Sequence, residues 1–193
     1  MAKVIKIGRI EQQILRYLAL HPDKHQQEIQ KDLEIPNYGN VVNAVKSLRR
    51  KGYVTFKKGK NKRNKPIRLW RLTDEGLLQA LVNCDLSAKE MQQAINNYVK
   101  NEFTKKIVKQ VMEELDPALA KKILVSAASG AASLLLGTNL LSILFAIMPE
   151  SNITAKEAKQ IKKLAKRLKR TDRRIAKIYE AMEEISISEN LFS

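Results

Sequence analysis

The sequence contains few of the residues from which enzyme active sites, disulfide scaffolds and metal centres are built. Its one cysteine, Cys84, cannot form an internal disulfide or a thiolate cluster. Its seven glycines form no phosphate-binding loop, and its two histidines, His21 and His25, share one proline-containing segment with no cysteine nearby. No serine or cysteine has a base partner recognisable from the sequence. We therefore expect no catalytic site, no metal site and no cofactor.

Acidic residues are also scarce. The 193 residues include 36 Lys and Arg but only 20 Asp and Glu, which gives a formal net charge of +16. Such an excess favours an anionic partner, either nucleic acid or an anionic membrane surface. Residues 1–84 hold 18 basic and 7 acidic side chains, whereas residues 85–193 hold 18 and 13. The surplus lies mostly in the first half, and we expect two domains, 1–84 and 85–193.

A secretory leader is missing as well. Met1 to Ile10 alternates basic and apolar residues and lacks the run of seven or more apolar positions that a secretory signal needs. A single cysteine also favours an intracellular location, because disulfide-rich scaffolds belong to secreted proteins. The sequence therefore predicts a cytoplasmic protein.

Apolar residues recur at helical spacing in three segments of the first 52 positions. The first follows Arg9 and ends before His21, the second runs from about Gln26 to Leu33, and the third runs from Asn37 or Tyr38 to Lys51. Gly52 is the expected left-handed residue after the third helix. The residues expected to be buried are Ile10, Ile14, Leu15, Leu18, Ile29, Leu33, Val41, Val45 and Leu48.

After Gly52 the apolar period changes to two, which predicts a β-hairpin. Its strands are Tyr53 to Phe56 and Ile67 to Leu72, with Trp70 in the core and a long turn from Lys57 to Pro66. The turn carries six cations and no acid, and their mutual repulsion would be relieved by nearby phosphates. Thr73 then reads as the N-cap of a fourth helix. The six cations are Lys57, Lys58, Lys60, Lys62, Arg63 and Lys65.

Three parts of this segment carry a family resemblance. They are the run from Asn40 to Val54, the basic hairpin, and Leu72-Thr73-Asp74-Glu75-Gly76 leading into a helix. Over residues 9–82 the chain resembles winged-helix transcriptional regulators of the MarR, ArsR and PadR kind, especially their archaeal members. The resemblance implies a winged helix-turn-helix domain that binds double-stranded DNA. Its third helix would enter the major groove, and its wing would lie along the backbone or in the adjacent minor groove.

The resemblance also implies which side chains face DNA. Asn40, Asn43 and Lys46 fall at positions that face the bases, and Ser47 lies on the same polar face of the helix. The chemistry agrees, because amide side chains pair with adenine edges and lysine reaches guanine acceptors in a major groove about 12 Å wide. The residues expected at the phosphate backbone are Tyr38, Arg49, Arg50, Lys57, Lys58, Lys60, Lys62, Arg63, Lys65 and Arg68.

The second half opens with apolar residues at intervals of four, from Met91 to Leu115. This spacing predicts a long helix up to Asp116-Pro117, with an apolar stripe that winds around it because four overshoots 3.6. Such helices resemble the dimerisation helices of winged-helix regulators. We therefore expect a homodimer that presents two recognition helices to half-sites about one turn of DNA apart.

Two further segments predict different environments. Residues 123–148 carry no charge, which predicts either a transmembrane span or a buried segment, namely a helical hairpin or a dimer core. Polar and small residues within the segment, and the many cations after Pro149, favour the buried segment. Residues 156–186 show a heptad seam of two rows, which predicts a coiled-coil or bundle helix with a cationic outer face. The two rows are Ile161, Leu168, Ile175 and Met182, and Leu164, Thr171, Ile178 and Ile185.

The predicted fold is mainly α, with an N-terminal winged helix of three helices and a β-hairpin followed by an all-α region. Three functions remain open. The first is a DNA-binding transcriptional regulator without enzymatic activity. The second is a sequence-tolerant architectural, replication or segregation protein, for which the net charge would suffice. The third is a membrane-tethered DNA binder with its DNA-binding domain in the cytoplasm.

Overall fold

Three helices and a β-hairpin begin the chain, and further helices follow. The computed structural model describes residues 7–61, 63–129 and 154–171. The helices are α1 Arg9–Leu20, α2 Gln26–Asp32, α3 Tyr38–Arg50, α4 Asp74–Asn83, α5 Ala88–Tyr98, α6 Glu102–Glu114, α7 Pro117–Ser129 and α8 Ala155–Thr171. The strands are β1 Val54–Lys60 and β2 Pro66–Leu72, paired antiparallel. The predicted fold class is confirmed.

The apolar faces of α1 and α3 form the centre of the winged helix. Ile14, Leu18, Val45 and Leu48 are completely buried between these helices and α4, as their spacing predicts. Ile10 and Leu33 lie at the edge of the core and are only partly buried. Gly52 follows α3 with a φ of +79°, a conformation that costs glycine nothing. The three predicted helices and their inward faces are therefore confirmed.

The hairpin is longer than predicted. The strands pair in continuous register from Val54 opposite Leu72 to Lys60 opposite Pro66, so the turn is only residues 61–65. The charged end of β1 lacks apolar alternation, but backbone hydrogen bonds still extend the ladder, since pairing needs no apolar side chain. Within the tip, the Asn61 side chain accepts hydrogen bonds from the backbone amides of Arg63 and Lys65 at 3.0 and 2.9 Å.

Helix α4 begins in close contact with the base of the hairpin. The Thr73 hydroxyl accepts a hydrogen bond from the Gly76 amide at 3.0 Å, which confirms the predicted N-cap. A Cβ at Gly76 would lie 1.8 Å from the Tyr53 carbonyl oxygen. Only glycine therefore allows α4 to approach the start of the wing this closely.

The predicted long helix after Ser87 is wrong, because the chain forms two helices, α5 and α6. Val99 leaves α5 with extended backbone angles, and the Asn101 side chain accepts a hydrogen bond from the Thr104 amide at the start of α6. One straight helix would turn its four-residue stripe steadily away from the core. The break allows Met91, Ile95, Ile107 and Val111 all to be buried.

Helix α5 attaches directly to the winged helix through the C-terminal end of α1. The backbone carbonyls of Leu18, Ala19 and Leu20 accept hydrogen bonds from side chains of α5: the Tyr98 hydroxyl at 2.7 Å and the Asn97 amide at 3.1 Å. These bonds satisfy carbonyls that have no partner within their own helix. The core continues without interruption from α1 into α5, α6 and α7. The domain boundary predicted at residue 84 therefore does not coincide with a gap in the packing.

Helix α8 packs against α6. Its residues Ile161, Leu164 and Leu168, which belong to the predicted heptad rows, are buried within the chain itself. The rows beyond Thr171, and the uncharged segment beyond Ser129, lie outside the described residues, so those predictions remain open. Of the helices in the described ranges, none combines the length and the apolar character that a bilayer crossing requires.

A partly buried ion pair joins the first turn of α1 to the C-terminal end of α3. The Lys51 ammonium lies 2.7 and 2.9 Å from the two carboxylate oxygens of Glu11, and the Gly8 amide donates to the same carboxylate at 2.7 Å. Burial acts to raise the pKa of Glu11, but hydrogen bonds from Lys51, Ser47 and Gly8 outweigh it and hold that pKa below its usual range. The pair fixes the end of α3, next to the wing.

Glu11→Gln should lower the free energy of unfolding by about 1 to 3 kcal/mol at neutral pH, because Lys51 then loses a partner in a partly buried site. Since the pKa of Glu11 is lower in the folded chain, this stabilisation is complete above the ordinary glutamate pKa of about 4.3. It is lost as the pH falls from there through the folded value. Urea unfolding of both chains between about pH 7 and pH 3 measures the difference.

The control is Glu102→Gln, because the Glu102 side chain is 82% exposed and its ion-pair partner among the described residues is Lys105, at the surface. Its effect should stay within about 0.5 kcal/mol. Equal losses in the two variants, or a loss in Glu11→Gln that does not shrink on acidification, would contradict the role given to this pair.

Candidate nucleic-acid interface

The face of α3 that points away from the core carries an exposed row of polar side chains. Asn37 caps the helix by accepting a hydrogen bond from the Gly39 amide at 2.7 Å. Asn40, Asn43 and Lys46 follow on the outer face and are exposed, as the sequence predicts. An open groove of about 620 Å³ runs beside this face and is lined by Asn43, Lys46, Arg49 and Arg50.

Two predicted contact residues are engaged in other ways. Ser47 is half-buried, and its side chain hydrogen-bonds to Glu11 on α1. Its hydroxyl therefore serves the contact between α1 and α3. The Tyr38 ring is exposed, and its hydroxyl donates a hydrogen bond to the Gln26 side chain at 3.5 Å, which bridges the start of α3 to α2.

The two faces of the hairpin have different neighbours, because successive side chains of a strand point in opposite directions. Lys58 and Lys60 share a face with Phe56 and, on the paired strand, with Arg68 and Trp70. This is the face towards α3, since the Arg49 guanidinium reaches the Phe56 ring. We call it the inner face of the wing.

Lys57 lies on the outer face, and its ammonium is bonded to the Asp23 carboxylate at 2.8 Å. Asp23 has a φ of +64° and precedes Lys24, whose backbone exchanges hydrogen bonds of 3.1 and 2.8 Å with Trp70. The segment before α2 therefore lies beside β2 and brings an acid to the outer face. Among the predicted wing cations that the structure describes, Lys57 is the one paired with a carboxylate.

Two further wing cations are described at the tip. Arg63 and Lys65 are exposed within residues 61–65. Lys62 lies outside the described residues. The structure thus brings Asn43, Lys46, Arg49 and Arg50 to one groove and places Lys58, Lys60 and Arg68 on the neighbouring inner face of the wing.

Phe56 is a residue at this site that the sequence interpretation missed. The guanidinium carbons of Arg49 and Arg68 lie 5.1 and 4.8 Å from the centre of its ring. The other neighbour of the ring is Trp70, which is 97% buried as predicted and lies 5.3 Å away between centroids. The strand register would have been needed to find this cluster, because only the pairing of Phe56 with Trp70 sets Arg68 diagonally beside it.

A second basic surface lies on α8. Its outward residues include seven exposed cations, and its only acid is Glu157. Glu157 caps the helix at Thr154 and pairs with Lys122, while Arg167 pairs with Glu114 on α6. The exposed cations are Lys156, Lys159, Lys162, Lys163, Lys166, Arg167 and Arg170.

The histidines have structural roles. The His25 ring nitrogen Nδ1 accepts a hydrogen bond from the Gln27 amide at 3.3 Å and caps α2. His21 packs on the Tyr17 ring at 4.9 Å between centroids. Within the described residues, no three His, Cys, Asp or Glu side chains converge as a metal site would require.

Comparison with known proteins agrees with this geometry. Residues 10–88 match the family described as winged helix DNA-binding domain, a span that runs from α1 through the hairpin to the first residue of α5. No curated protein and no solved structure gave a match. The narrower resemblance to MarR, ArsR and PadR regulators stays a prediction. The N-terminal part of this chain thus has a winged-helix fold, and its residues 10–88 are similar to a family of winged helix DNA-binding domains.

Proposed function

We propose that this protein is a DNA-binding transcriptional regulator that acts by occupying its site and not by chemistry. The observation that carries the proposal is the groove beside α3, where amide and cationic side chains lie next to the inner face of a basic wing. A DNA-binding winged helix supplies the scaffold for this arrangement. In the proposed complex, α3 enters the major groove, and the wing lies on the backbone or in the minor groove.

Asn40, Asn43 and Lys46 are the proposed base readers. Asparagine can donate and accept at an adenine edge, and lysine can donate to the acceptors of guanine. All three side chains are exposed along one face of α3, so a helix about 10 to 12 Å across can present them within the groove. Ser47 is left out of this set because its side chain bonds to Glu11.

The cations around the groove are the proposed backbone contacts. Arg49 and Arg50 lie at the end of α3, Lys58, Lys60 and Arg68 lie on the inner face of the wing, and Arg63 lies at its tip. Each phosphate that they neutralise releases counterions, so affinity should fall steeply with salt. These contacts set the orientation of the protein on DNA without reading its sequence.

We further propose that the regulator is a cytoplasmic homodimer, since two winged helices would read two half-sites. The buried positions of α8 are occupied within the chain. Dimer contacts would therefore use surfaces other than the Ile161, Leu164 and Leu168 row.

Changing both Asn43 and Lys46 to Ala should flatten sequence preference while weak binding to any DNA persists. Changing both Lys60 and Arg63 to Ala should weaken all sequences alike and reduce the slope of log Kobs against log salt by about 0.9 per lost phosphate contact. Selection from random DNA followed by titrations at several salt concentrations separates the two effects. If both double variants select and bind like the wild type, the assignment fails.

The two faces of the wing provide a matched test with neighbouring lysines. Lys58→Ala should lower affinity several-fold and reduce the salt slope by about 0.9, because Lys58 lies on the inner face. Lys57→Ala should leave the slope unchanged, because Lys57 is bonded to Asp23 on the outer face. Fluorescence anisotropy with labelled duplex at several salt concentrations measures both slopes. A slope that falls equally in the two variants would contradict the proposed orientation of the wing.

A second candidate function is a sequence-tolerant architectural protein, and the basic surface of α8 is the observation that favours it. A second row of cations would hold DNA by its backbone without reading bases. Footprinting in the presence of competitor DNA distinguishes the two functions. A discrete protected site is expected for the regulator, and uniform protection would favour the architectural protein.

A further inference from the structure

Two arginines from separate elements meet at one aromatic ring. Arg49 comes from the last turn of α3, Arg68 comes from β2, and their guanidinium carbons lie 5.1 and 4.8 Å from the centre of the Phe56 ring. These distances are within the range of about 6 Å over which an aromatic face attracts a cation. We call Arg49, Phe56 and Arg68 the arginine clamp.

The clamp concentrates positive charge that the described part of the chain does not neutralise. Neither arginine forms an ion pair with a carboxylate among these residues, whereas Arg16, Arg71 and Arg167 each have one. Because both guanidinium groups touch the same ring, they lie within about 10 Å of each other, which is one Debye length at 0.1 M salt. Their repulsion is therefore not fully screened, and an anion that contacts both would relieve it.

The ring itself is held in place. Phe56 is half-buried on the inner face of the wing and packs on Trp70, with ring centroids 5.3 Å apart. A ring fixed in this way cannot swing out to insert between bases. It can, however, restrict the rotamers of two long side chains, which lowers the entropy that each arginine loses on binding.

We propose that the arginine clamp binds one backbone phosphate of DNA at the junction of α3 and the wing, with Phe56 as the positioning residue. This inference rests on the proposed function. The planar fork of each guanidinium suits paired hydrogen bonds to phosphate oxygens, which a lysine cannot form. Arg49 also lines the groove that contains Asn43 and Lys46. A phosphate fixed at the clamp would therefore set the register of the base readers on the duplex.

Ethylation interference on the selected DNA site tests the clamp, because an ethylated phosphate loses its charge. In the wild type, ethylation of one phosphate per half-site should block binding, because that phosphate contacts both arginines. Arg49→Gln and Arg68→Gln should each remove interference at that same phosphate and weaken binding roughly 10-fold. In the double variant, the fold-loss of affinity should be far smaller than the product of the two single losses, because both arginines bind the same phosphate.

Phe56 is tested by variants that keep both charges. Phe56→Leu should weaken binding several-fold, because the arginines are no longer positioned. The slope of log Kobs against log salt should change by less than about half the amount expected for one lost phosphate contact, because both charges remain. Phe56→Tyr retains the ring and should bind like the wild type. Lys58→Gln, on the same face but not at the ring, is the matched control and should lose interference at a different phosphate. Circular dichroism and thermal unfolding of each variant verify that the fold is kept.

Several outcomes would overturn the clamp. The first is that Arg49→Gln and Arg68→Gln lose interference at two separate phosphates. The second is that their fold-losses of affinity simply multiply in the double variant. The third is that Phe56→Leu binds DNA like the wild type. If Phe56→Leu unfolds, Arg49→Lys decides, since it keeps the charge and the fold but should lose most of the interference. A wild type that selects a site and yet shows no clamp phosphate refutes the clamp alone, whereas a wild type that binds no DNA refutes the proposed function as well.

Discussion

The structure depends on the burial of α1. Its apolar face, with Ile14, Leu15 and Leu18 completely enclosed, packs against α3, α4 and α5 and touches β2. Transfer of three such side chains from water contributes about 1.5 to 3 kcal/mol each, more than any surface ion pair supplies. Every part of the proposed interface is positioned from this helix. Helix α3 lies on one side of it, and the hairpin follows from the end of α3 at Gly52, so the polar face of α3 and the inner face of the wing are set by the same core.

Acidic side chains divide the cations near the site into two groups. Glu11 holds Lys51 at the end of α3, and Asp23 holds Lys57 on the outer face of the wing. Both lysines are close in sequence to proposed backbone contacts but are directed into intramolecular pairs. Lys58, on the inner face, has no carboxylate partner among the described residues. The few acids of the first half therefore do more than lower its net charge: they leave positive potential on the side of the wing that faces α3, where a duplex beside the recognition helix would lie.

Features set by local periodicity could be predicted from the sequence, and features set by register could not. The spacing of Val41, Val45 and Leu48 fixes the buried face of α3 whatever its neighbours are, and Gly52 marks its end. The strand ends were missed because backbone pairing extends through charged residues such as Lys58. The break at Asn101 was missed because a four-residue apolar repeat is compatible with either one winding helix or two straight ones. The proposed base readers follow from the exposed face of α3 alone, whereas the role proposed for Phe56 follows only when the strand pairing and the end of α3 are both known.

Tyr98 connects helix α5 to the winged helix at two points. Burial raises the pKa of its hydroxyl to about 12, so the group stays protonated and donates to the Leu18 carbonyl at 2.7 Å while it accepts from the Leu72 amide at 3.2 Å. One side chain of α5 thus fixes both the end of α1 and the strand that carries Arg68. Without α5, the carbonyls of Leu18, Ala19 and Leu20 would lose these side-chain partners. The end of α1 and strand β2 are therefore stabilised by a helix that lies almost entirely beyond the residues that match the family model.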